Sequence, residues 1–107
     1  MNLLKWNKEF ALEQAADDME LLLELIEIFK ESFQNDLQQL EEALGNNDAD
    51  QICSAAHSIK GAAASLGIEG IREVALAVEE DSRAGNMDMA RTKLPQLKLL
   101  MTELQNI

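Results

Sequence analysis

The chain has 107 residues and a formal net charge of −11, from 9 Lys and Arg against 20 Asp and Glu. A chain of this length forms one domain with a modest core, and we expect residues 1–107 to be a single domain. Its acidic surface repels nucleic acids and anionic lipid headgroups, so neither is an expected partner. With one His, one Cys and no Tyr, the chain cannot build a site that requires two histidines, two thiols or a phenol.

The sequence predicts a cytoplasmic protein. Its single cysteine, Cys53, cannot form an internal disulfide, and no basic N-terminal region precedes an apolar stretch and a small-residue cleavage site. The most apolar run, residues 21–29, is interrupted by two glutamates and is shorter than the roughly 20 residues of a membrane-spanning helix. We therefore expect no insertion into a membrane.

One Pro, five Gly and the absence of an alternating β-branched run indicate an all-helical chain. A short first helix is predicted from Asn7 to about Ala16. Asp17 and Glu20 resemble a capping box that opens a long second helix, with its C-terminal cap at Gly45. Apolar residues recur every three or four positions along this helix, as one buried face requires: Leu22, Ile26, Phe29, Phe33, Leu37, Leu40 and Leu44.

Three further helices follow. Asp48 is a second N-cap signature, for a helix that ends at Gly67. The next helix is predicted over residues 69–84, ending at Gly85 and Asn86. The last begins at Asp88, with Pro95 expected to kink it or loosen one turn. Because the connections are short, consecutive helices should be antiparallel. The predicted fold is all-α: an antiparallel up-down-up-down four-helix bundle with a short N-terminal helix across one end.

Acidic charge is concentrated in the first two helices. Residues 1–50 carry 13 acidic and 3 basic side chains, a net charge of −10, whereas residues 51–107 carry 7 and 6, a net charge of −1. A charged solvated face is most often a solubility feature. It leaves one alternative function open, that of an acidic helical adaptor which binds a partner protein without phosphate chemistry.

The lone histidine, His57, lies on the polar side of the third helix. On a helical wheel the apolar residues of this helix centre almost opposite His57, so the imidazole is expected to face solvent. Gly61 costs about 1 kcal/mol relative to alanine in the middle of a helix, which suggests that something must approach the backbone there. Apart from Lys60, the neighbours of His57 on the wheel are small or short, as a docking face for another protein requires: Asp50, Cys53, Ser54, Gly61 and Ala64.

This face suits phosphoryl transfer through a histidine nucleophile. An ordinary imidazole titrates near about pH 6.5, so at cytosolic pH one ring nitrogen keeps a lone pair that can attack phosphorus. Lys60, one turn from His57, can compensate part of the charge on the phosphoryl oxygens. The sequence offers no Gly-rich phosphate loop and no second residue beside His57 that resembles a general base. We therefore predict a phosphocarrier without its own ATP site, rather than an enzyme.

The segment from Asp48 to Gly67 resembles the histidine-containing phosphotransfer (HPt) domains of two-component phosphorelays. These domains share the pattern H-x-x-K-G with a further glycine six residues on. The resemblance extends to the apolar pattern over residues 22–44 and to Glu79 in the following helix, so it covers nearly the whole chain. Residues 62–64 are all alanine, where many members of the family have small polar residues.

The resemblance implies a role for each residue of the motif. His57 would be the phosphoacceptor, Lys60 would contact the phosphoryl group or the incoming receiver, and Gly61 would permit close approach. The partners implied are response-regulator receiver domains and a hybrid sensor histidine kinase. No cofactor or metal of its own is implied, since Mg²⁺ is expected in the receiver, and we expect a monomer.

Two other interpretations compete with this one. Cys53 and His57 are spaced i, i+4 and could form a Cys–His nucleophile pair or half of a metal site. Two ligands do not make a tetrahedral zinc site, so neither metal binding nor thiol catalysis is predicted. A histidine kinase dimerisation domain would be followed by an ATP-binding domain, and this chain is too short to contain one.

Overall fold

The computed structural model describes residues 3–107, which form five helices joined by short turns. Helices α2 to α5 pack as a ring, each against the next, with α5 returning to α2, and α1 packs on α2. Within the described residues the only extended pairing is a single antiparallel bridge between Trp6 and Ile68. The predicted all-α bundle is therefore confirmed. The helices are α1 (Lys8–Gln14), α2 (Met19–Gly45), α3 (Ala49–Ser65), α4 (Glu69–Arg83) and α5 (Asp88–Leu104).

The core is built from one apolar stripe on each bundle helix. On α2 the predicted stripe is buried along its length, and only Leu44 at its end is partly exposed. Phe29 and Phe33 stack within it, with ring centroids 5.6 Å apart. None of the helices in residues 3–107 combines the length and the apolarity that a membrane span requires. The other faces of the bundle, including that of the single histidine, are left to solvent.

Local cap signals place most helix ends. Asp48 is the N-cap of α3, and its Oδ1 accepts a hydrogen bond from the backbone N–H of Gln51 at 3.1 Å. Gly67 and Gly85, which follow α3 and α4, have φ angles of +68° and +90°. Glycine adopts this left-handed conformation without steric cost, so both positions end their helices as predicted.

The predicted N-cap of α2 is wrong by one residue. The N-cap is Asp18, whose Oδ1 accepts from the backbone N–H of Leu21 at 3.2 Å. The tight reversal after α1 takes Ala16 and Asp17 into the left-handed region, at φ of 55° and 60°. Asp18 is therefore the first residue with the extended backbone that an N-cap needs. The same reversal ends α1 at Gln14, before the predicted Ala16.

The predicted C-cap of α2 is also wrong. Gly45 is the last helical residue, and the left-handed conformation is taken by Asn47, at φ 53°. Asparagine tolerates this conformation better than most residues with a side chain. Helix α5 begins at the predicted Asp88 and continues through Pro95. Pro95 and Arg91, whose carbonyl loses its helical donor, are both exposed, so water can replace the missing hydrogen bond.

Residues 3–7 form an N-terminal strap across the connection between α3 and α4. The backbone N–H of Gly70 donates to the carbonyl of Leu4 at 2.7 Å, and the indole N–H of Trp6 donates to the carbonyl of Leu66 at 3.0 Å. Leu4 is buried against the core. The strap thus pins the connection between α3 and α4, the two helices that carry the candidate site.

Candidate functional site

His57 lies in the middle of α3 and faces solvent. Its side chain is 67% exposed, whereas the opposite stripe of α3 is buried in the core. The orientation predicted from the helical wheel is therefore confirmed. The helix fixes the position of the imidazole. Which of its two nitrogens carries the hydrogen and which keeps the lone pair therefore depends on the groups that neighbouring helices place beside the ring.

A buried carboxylate from α4 holds one of these nitrogens. The side chain of Glu79 is 1% exposed, and its Oε2 lies 2.6 Å from Nδ1 of His57. Burial alone raises the pKa of Glu79, but hydrogen bonds from Lys60 and His57 and the charge of Lys60 outweigh it and hold the pKa below its ordinary value. An ionised carboxylate can only accept a hydrogen bond. Nδ1 is therefore the donor, and the lone pair of the neutral ring is on Nε2.

Two cations bind the same carboxylate. Nζ of Lys60 lies 2.7 Å from Oε1 of Glu79, and Nη2 of Arg83 donates to Oε2 at 2.9 Å. These contacts compensate the buried negative charge, which would otherwise be costly. Both cations are thus held beside the imidazole, where they can attract an anion that approaches the ring.

The rest of the predicted docking face surrounds His57 with little bulk. Asp50, Ser54 and Gly61 are exposed, and Ala64 is partly buried. A Cβ placed on Gly61 would meet nothing within 4 Å, so packing within this protein does not require glycine at that position. The surface around the imidazole is therefore low and open to a large partner.

Cys53 is directed towards α4. Its Sγ lies 3.7 Å from the backbone carbonyl oxygen of Glu79, to which the thiol donates. In the described part of the chain, no group of three or more His, Cys, Asp and Glu side chains is placed to hold a metal ion. Cys53 thus fills space at the edge of the contact between α3 and α4.

An apolar groove of about 360 Å³ lies between α2 and the C-terminal end of α3. Ile28 on the groove wall is 62% exposed. The lining residues are Gln14, Leu25, Ile28, Phe29, Ser32, Ala62, Ser65 and Leu66.

A hydrogen bond ties α3 to α2 next to His57. The hydroxyl of Ser58 donates to Oδ2 of Asp36 at 2.7 Å. Burial raises the pKa of Asp36, and this hydrogen bond offsets part of the effect.

The parts played by Glu79 and Arg83 were missed from the sequence. The prediction that no second residue resembling a general base lies beside His57 is wrong, because the carboxylate of Glu79 reaches the ring from the next helix, 22 positions along the chain. One signal could have revealed it. Glu79 follows Val78 on the buried stripe of α4, and a carboxylate on such a stripe requires polar partners.

A family model and a solved structure both match this chain. A family model described as the Hpt domain matches residues 24–107, a span that includes all the side chains described around His57. The crystal structure of the HPT domain from a sensor hybrid histidine kinase of Shewanella is similar, with a TM-score of 0.78 and 20% sequence identity. The match covers 97% of this chain and 93% of that one. No curated protein matches the chain.

Proposed function

The chain belongs to the Hpt domain family, and we propose that His57 is the residue on which it carries a phosphoryl group. Hpt domains are phosphocarrier modules of histidine phosphorelays, which implies interaction with response-regulator receivers and hybrid kinases. One observation supports the assignment to His57. Its exposed imidazole donates through Nδ1 to the buried carboxylate of Glu79, and this leaves the nucleophilic lone pair on Nε2.

In the proposed transfer, Nε2 attacks the phosphorus of a receiver's aspartyl phosphate. The Nε2–P bond forms, the bond from phosphorus to the aspartate oxygen breaks, and its electron pair leaves with the aspartate. Lys60 and Arg83 compensate charge on the phosphoryl oxygens. Both side chains are ion-paired with the carboxylate of Glu79, which is itself bonded to the ring, so their charges are held beside His57. The receiver supplies Mg²⁺, and the chain needs no cofactor and no ATP site of its own.

The receiver is proposed to cover Gly61, Ala64 and the groove between α2 and α3. The groove lies along the C-terminal part of α3, beyond His57 and Gly61 in the chain, and carries apolar surface that interacts poorly with water. Its partner must bring an aspartyl phosphate to Nε2, and a low surface beside the ring allows that approach. An Ile28→Ser variant should slow transfer from the receiver several-fold. Leu99→Ser, at an exposed apolar residue on α5, is the matched control and should leave the rate unchanged.

We also propose where the protein is located, its oligomeric state and its domain organisation. A phosphocarrier must meet receivers and kinases in the cytoplasm, where we place it. A net charge of −11 opposes self-association at moderate ionic strength, so we propose a monomer. We take residues 1–107 as one domain, because buried residues from all five helices form one hydrophobic core.

Transfer from a phosphorylated receiver in the presence of Mg²⁺ tests the assignment. Acid-labile, base-stable label should appear on the chain, and His57→Gln should remain unlabelled. A double variant, His57→Gln with Gln96→His, restores an exposed imidazole on α5 away from the site and should also remain unlabelled. Label on either variant at the wild-type rate would refute the role of His57.

A further inference from the structure

The carboxylate at Nδ1 constrains the ring after phosphorylation as well as before it. Attack by Nε2 leaves the hydrogen on Nδ1, so the first product is a phosphorylated ring with a positive charge. If that hydrogen were lost to solvent, Nδ1 would carry a lone pair. This lone pair would face Oε2 of Glu79, which lies 2.6 Å away.

An ionised carboxylate cannot accommodate such a lone pair, because it has no hydrogen to donate. Glu79 is 1% exposed and cannot turn towards water, and Lys60 and Arg83 bind its two oxygens and hold it in place. An amide at this position would behave differently. It could turn its oxygen towards an N–H or its NH₂ group towards a lone pair, and so accept either state of the ring.

We propose that Glu79 is a positioning residue that keeps Nδ1 of phosphorylated His57 protonated. This inference rests on the proposed function, in which His57 carries the phosphoryl group. In this state the ring leaves phosphorus as neutral imidazole, which is a better leaving group than an imidazole anion. Onward transfer breaks the Nε2–P bond, returns its electron pair to Nε2 and forms the bond to the receiver's aspartate oxygen. No proton enters or leaves the ring in either direction.

Two consequences follow for the relay. The contribution of this chain to the transfer rate should not change with pH over the range in which Glu79 is ionised. The phosphorylated chain should also be a reactive, short-lived carrier rather than a store of phosphoryl groups, since the ring is always in the form that leaves most readily.

The other charged and titratable groups around the ring support this assignment. Lys60 and Arg83 both bind the carboxylate and favour its ionised, acceptor-only form. The thiol of Cys53 is bonded to a backbone carbonyl. From α2, Asp36 accepts from Ser58 and does not compete for Nδ1. The titratable and charged groups on or beside the His57 face are thus Asp36 from α2, Asp50, Cys53 and Lys60 from α3, and Glu79 and Arg83 from α4.

The test uses the full chain phosphorylated by phosphoramidate, a small donor that requires no partner protein. NMR of the ¹⁵N-labelled ring reports whether Nδ1 carries a hydrogen, from about pH 6 to about pH 9. In wild type the hydrogen should persist throughout. In Glu79→Gln it should be lost within this range. The transfer rate to a receiver, relative to wild type, should then fall by about tenfold for each pH unit above the titration of the ring.

Glu80→Gln is the matched control, because it changes the charge equally at the next, exposed position of α4. It should keep the wild-type spectrum and pH profile. Loss of the Nδ1 hydrogen in phosphorylated wild type near neutral pH, or a wild-type profile in Glu79→Gln, would overturn the proposal. If Glu79→Gln does not fold, the wild-type spectrum alone decides. If the phosphorylated chain exchanges nothing with any receiver, the proposed function fails, while the NMR result still decides this inference.

Discussion

Substitutions at Gly61 can test the proposed docking of a partner separately from the stability of the fold. It lies one turn beyond His57 in α3, and a Cβ there would meet nothing within 4 Å. Glycine in the middle of a helix costs roughly 0.5–1 kcal/mol relative to alanine, mainly through backbone entropy. Gly61→Ala should therefore raise the free energy of unfolding by about 0.5–1 kcal/mol, since no neighbouring atom has to move.

Urea denaturation followed by circular dichroism measures this gain. With a slope of about 2 kcal/mol/M, the midpoint should rise by roughly 0.3–0.5 M. The larger variant Gly61→Gln should keep the helical fold but lower the rate of transfer from a phosphorylated receiver, because its side chain occupies the surface beside the ring.

A matched change at Gly45 isolates the docking effect. Gly45 is also helical with open space around it, at the end of α2, and Gly45→Gln should leave the transfer rate unchanged. A decrease in stability for Gly61→Ala would mean that the fold requires this glycine. Unchanged transfer by Gly61→Gln would refute the idea that a partner approaches the backbone there.

Two further predictions concern stability. Gly70→Ala should lower the free energy of unfolding by about 2–4 kcal/mol, because its Cβ would lie 2.0 Å from the carbonyl oxygen of Leu3 and would displace the strap with buried Leu4; wild-type stability in urea would contradict this. Burial raises the pKa of Asp36 above its ordinary value of 3.8, so the Asp36 carboxyl binds a proton more tightly in the folded protein than in the unfolded chain. The contribution of Asp36 to the free energy of unfolding therefore becomes more favourable as the pH falls through its folded-state pKa. Asp36→Asn should therefore match or exceed wild type at neutral pH and lose its advantage in acid, and denaturation curves showing a growing advantage in acid would exclude this explanation.

Features set by residues close in sequence were predictable. Asp48 caps α3 through the amide three positions later, and Gly67 and Gly85 end their helices through their own backbone freedom. The errors at the ends of α2 have one cause. Adjacent residues, such as Asp17 and Asp18, can serve equally well as caps. The choice between them depends on how the preceding helix is positioned, which is a tertiary effect.

The candidate site was predictable only on the helix that carries the motif. Exposure of His57 follows from the period of α3 alone, and so does the position of Lys60 one turn away. Glu79 and Arg83 reach the site from α4, and only the pairing of two helices brings them to the ring. No local pattern encodes that register, although a carboxylate on the buried stripe of α4 indicates that some polar partner must exist.

The strap gives the protein an optical reporter of its own. Trp6 is the single tryptophan of a chain without tyrosine, so its indole supplies nearly all of the intrinsic fluorescence. That indole donates to the carbonyl of Leu66, at the C-terminal end of α3. A partner that shifts α3 against α4 will change the environment of the ring and therefore its emission. Receiver docking can thus be followed by unlabelled fluorescence titration, and an unchanged emission maximum would identify docking onto a rigid platform.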